Sequence, residues 1–124
     1  MLREWKNVRQ PTEEGPRRWF TDEDMDLIVW YDADRSTIRG FQLCYDKQSE
    51  QHALTWMRDG KYNHARVDDG EGRQGMGLKQ TPILVEDGAF DPVELAERFD
   101  RQAQTVDPEI RSLVERRLRE LSSQ

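Results

Sequence analysis

The sequence predicts an α+β domain: an antiparallel meander of four to five strands followed by two C-terminal helices packed on one face. Three observations carry this. Four short runs rich in β-branched and aromatic residues follow one another, separated by polar turns. No connection between them is long enough for a crossover helix, so the strands pair antiparallel. Two Asp-Pro pairs then open apolar patterns of helical period.

Residues 1–24 hold Pro11, Pro16, Trp5, Trp19 and the acidic run Asp22-Glu23-Asp24. They read as an irregular N-terminal arm that docks Trp19 and Phe20 onto a single domain spanning residues 25–122. The strands follow as "MDLIVWYD", "TIRGFQLCY", "QHALTWMR" and "KYNHARVD". Asp59-Gly60 joins the last two and suits a two-residue type I′ turn, whose central residues both need positive φ. "PILVE", residues 82–86, is a fifth strand or a buried connection.

Asp91-Pro92-Val93-Glu94 places a capping carboxylate before Pro at the first helical position, with Glu at the third. Asp107-Pro108-Glu109 repeats the device, and Pro108 disfavours helical geometry at Asp107, so two helices form instead of one. The first carries Val93, Leu95, Ala96, Phe99 and Ala103. The second carries Ile110, Leu113, Val114, Leu118 and Leu121 on one apolar stripe.

The turn at Asp59-Gly60 predicts which residues share a face. A two-residue loop pairs Arg58 with Lys61, Trp56 with Asn63 and Leu54 with Ala65, because residues opposite one another lie on the same side. One face then collects Phe41, Leu43, Leu54, Trp56, Ala65 and Val67, and seats the helices. The other holds Leu27, Val29, Tyr31 and Ile38 at one end, with Thr55, Met57, Tyr62, His64 and Arg66 at the other. Apolar groups exposed on such a face mark an interface. Tyr31, Thr55, Met57, Tyr62, His64 and Arg66 are therefore the candidate ligand or interface residues. The expected cover is a second copy of the chain, the N-terminal arm or a ligand.

Composition narrows the function classes. The net charge of −6 offers no basic stripe of the kind that binds nucleic acid by releasing counterions from phosphate. The single Cys44 excludes an internal disulfide framework and a multi-cysteine zinc site. No apolar run approaches the ~20 residues that span a bilayer, and no signal peptide is evident, so the expectation is a cytoplasmic protein without a membrane or nucleic-acid partner.

The run "GEGRQG", residues 70–75, spells the glycine fingerprint of dinucleotide sites. That motif works only between a buried parallel strand and a helix. Here Gly75, Gly77 and Pro82 oppose a helix, and "KYNHARV" alternates as a half-exposed strand does. A loop is expected, and no cofactor. His64 is the most interesting polar residue, since histidine titrates near neutral pH. By the same register His52 lies on the opposite face, which argues against a shared metal. Cys44 reads as a small buried hydrophobe. No residue is assigned a catalytic role.

The segments "DLIVWYD", "GFQLCYDK", "ALTW", "RVDDGE" and "TPILVEDGAFD" resemble a family of small uncharacterised bacterial proteins, over most of residues 17–122. The resemblance implies a self-contained bacterial α+β domain and brings no activity. The expected function is thus a small non-catalytic binding or protein-interaction module acting through one sheet face. The alternative is a small hydrolase or isomerase using His64 with a carboxylate of the 68–71 loop.

Overall fold

Seven strands run in chain order across one antiparallel sheet in the structure, a computed structural model that describes residues 1–5, 16–68, 83–86 and 90–121. The strands are β1 (Arg3–Glu4), β2 (Arg17–Thr21), β3 (Asp26–Tyr31), β4 (Ile38–Tyr45), β5 (His52–Met57), β6 (Tyr62–Asp68) and β7 (Ile83–Glu86). Helices α1 (Pro92–Gln102) and α2 (Pro108–Leu121) follow. The α+β class and the order of meander then helices are as the sequence implies. The sheet is wider than the expected four to five strands, because two strands form where an irregular arm was expected.

Two of the described turns and both helix starts have a local cause. The Asp22 carboxylate accepts from the backbone of Asp24 and Met25 at 2.8 and 2.7 Å, closing the β2–β3 turn. Asp34 does the same for Ser36 and Thr37, both at 2.9 Å, and takes the Thr37 hydroxyl at 2.6 Å. Asp91 caps α1 by accepting from Val93 and Glu94 at 3.1 Å. Asp107 receives the Glu109 amide at 3.0 Å at the start of α2. These are the short-range bonds for which Asp is favoured at turns and caps.

The β5–β6 turn differs from expectation, and the difference matters. Gly60 has a φ of 95°, but Asp59 is not among the positive-φ residues, so a type I′ turn is not formed. Instead the Gly60 amide donates to the Met57 carbonyl and the Met57 amide to the Lys61 carbonyl, each at 2.9 Å. This is a three-residue loop, a type I turn followed by a left-handed glycine bulge. Trp56 therefore pairs with Tyr62, Leu54 with His64 and His52 with Arg66. The register expected from a two-residue loop is off by one, and a slip of one residue exchanges the faces of a strand. Trp56 and His64 share a side, and the two-sided division drawn from the sequence is overturned.

The helix-bearing face collects Phe20, Leu27, Val29, Phe41, Leu43 and Leu54, none more than 3% exposed. Leu95 and Phe99 of α1, with Ile110, Val114 and Leu118 of α2, join them in one core cluster. Their spacing in α2 places all three residues on one stripe, which is what the sequence pattern implied. Leu27, Val29 and Tyr31 lie in this core and not on an exposed patch.

The opposite face shows three cross-strand rows. Arg17, Trp30, Gly40 and Met57 form one, and Trp19, Ile28, Gln42, Thr55 and Asn63 the middle one. Thr21, Asp26, Cys44, Ala53 and Ala65 form the third. Neither described helix lies over this face.

Candidate functional site

Two regions compete for function, and the expected site residues are divided between them. Tyr31, Tyr62, His64 and Arg66 belong to the helix-bearing side, whereas Thr55 and Met57 belong to the open side. The six do not converge. Tyr31 is buried beside Arg18 at the β2 end of the sheet, where desolvation pushes its phenol above the ordinary value against the pull of that guanidinium. Tyr62 and Arg66 are exposed.

His64 keeps different company from that expected. It is 5% exposed, and its Nε2 and the Tyr45 hydroxyl are 2.5 Å apart. Its ring stacks on Phe90 at 4.0 Å between centroids and on His52 at 5.3 Å. Tyr45 in turn stacks on His52 at 5.5 Å. The expectation that the two histidines occupy opposite faces is therefore wrong, for the register reason given above. Arg98 of α1 covers the Tyr45 ring at 5.5 Å, and it donates to Asp24 and Asp46, each at 2.8 Å. This packs α1 onto the turns that end β2 and β4.

The arrangement is that of an anchor. A buried ring packed against neighbouring rings and bonded at its edge is held in place. Among the described residues no group of three or more His, Cys, Asp or Glu is placed to hold a metal ion. The carboxylates at 69 and 71, and the glycine run 70–75, lie outside the described residues.

The open face has another character. Trp19, Ile28, Trp30, Gln42, Thr55 and Met57 are all partly exposed and none is charged. Gln42 Nε2 donates to Thr55 Oγ1 at 3.0 Å, so the two polar groups at the centre satisfy each other. Met57 lies across Gly40, where a Cβ would stand 2.7 Å from its sulfur. Cys44, at one end of the face, is buried, and desolvation followed by the nearby Asp26 charge pushes its thiol up to about 11. Such a thiol stays protonated at neutral pH and is a poor nucleophile.

Sequence reasoning named two residues of this face, Thr55 and Met57, and missed Trp19, Ile28, Trp30 and Gln42. Ile28 and Trp30 alternate with Leu27 and Val29, so "DLIVWY" is apolar on both sides. That continuity was the available signal.

Comparison with family models, curated proteins and solved structures returns no match. No helix of the described residues is long and apolar enough to cross a membrane.

Proposed function

We propose that this chain is a small non-catalytic interaction module that receives a protein surface on the open face of its sheet. One observation carries the reading: Trp19, Ile28, Trp30, Gln42, Thr55 and Met57, all partly exposed on that face, are uncharged and contiguous, on the side away from both helices. An uncharged centre with charge confined to the rim is the anatomy of a protein interface. Tryptophan and arginine, here Trp19, Trp30 and the flanking Arg17, are also the residue types that dominate binding energy. The resemblance seen in the sequence supports a bacterial setting.

The reading of His64 as the centre of a hydrolase or isomerase, with a carboxylate of the 68–71 loop, has less behind it. Its Nε2 is engaged with Tyr45, and its ring stacks on Phe90 and His52.

Methionine oxidation tests the proposal with internal references. Met1 is 52% exposed and Met25 is 0% exposed. In dilute protein treated with peroxide, Met57 should oxidise at a rate between those of Met1 and Met25, as followed by peptide mass spectrometry. A Met57 as slow as Met25 would mean that the face is closed, and would overturn the reading.

A further inference from the structure

We draw no further inference here: the strongest candidate, the side-chain cluster of Thr21, Asp26 and Lys47 beside the cavity lined by Arg3, Asp22 and Glu23 at one corner of the sheet, carries nothing, because Lys47 is bonded to Thr21, Asp26 and the Asp22 carbonyl and the Asp22 carboxylate to the amides of its own turn, bonds that the packing of the β2–β3 turn accounts for without a ligand.

Discussion

Replacing Gly40 by Ala is the sharpest test of how β4 and β5 pack, because two opposing effects can be weighed. Gly40 is not among the residues of left-handed backbone, so alanine meets no torsional objection there. Restricting the unfolded chain alone would then stabilise the variant by about 0.4–1 kcal/mol. Space argues the other way. The new Cβ would stand 2.6 Å from the Trp56 carbonyl oxygen and 2.7 Å from Met57 Sδ. The sulfur can swing aside, but the carbonyl belongs to the ladder that pairs Gly40 with Met57. Overpacking of this kind costs about 1–3 kcal/mol. The net expectation is a loss of roughly 0–2.6 kcal/mol, centred on about 1.3 kcal/mol, read as a lowering of Tm by about 5 °C at that centre in a thermal melt. Adding Met57→Ala to Gly40→Ala should recover only part of the loss relative to Met57→Ala alone, because the backbone clash remains. A Gly40→Ala variant more stable than the parent, or a full rescue by the double substitution, would refute the reasoning.

Three further outcomes follow from the same structure. Tyr45→Phe removes the hydroxyl bonded to the buried Nε2 of His64 and should cost about 1–3 kcal/mol in urea unfolding; an unchanged midpoint would show that this contact contributes nothing. Cys44, with its thiol raised to about 11 by burial, should react with a disulfide reagent at neutral pH far more slowly than in urea, and equal rates would contradict its burial. The Asp34 carboxyl, held down to about 2 chiefly by the Thr37 hydroxyl and then by the backbone amides of Ser36 and Thr37, should titrate by NMR below the ordinary aspartate range. Its folded value is depressed, so the turn is supported above the ordinary carboxylate pKa and loosens as pH falls from about 4 through about 2.

Much of the architecture was legible because local chemistry and tertiary structure agree. The four central strands and both helix starts follow from alternation, turn residues and Asp-Pro caps, while residues 82–86 read equally as a strand or a buried connection and hold β7. The first two strands were not legible. Arg3–Glu4 is too short to show a period, and Arg17–Thr21 follows Pro16 in a charged stretch that a strand occupies only because β3 offers it a partner. The candidate site failed for a narrower reason. Asp-Gly fits both a two-residue loop and the longer one with a glycine bulge, and the local sequence does not distinguish them. Burial decides: the longer loop seats the buried His64 opposite Leu54, where its ring packs on Phe90. Choosing the shorter loop moved Tyr62, His64 and Arg66 to the wrong side. Placing Leu43 and Leu54 on one face also places Tyr45 and His52 together, and the structure pairs those two across β4 and β5.

The margin of the sheet at β1 depends on residues made about a hundred positions later. The Leu2 amide donates to the Gln102 carbonyl at 2.8 Å, and the Thr105 hydroxyl donates to the Leu2 carbonyl at 2.9 Å. A ribosome releasing about 5–20 residues per second leaves that border unclaimed for roughly 5–20 s. During synthesis the Leu2 backbone thus lacks these partners until residues 102–105 have emerged.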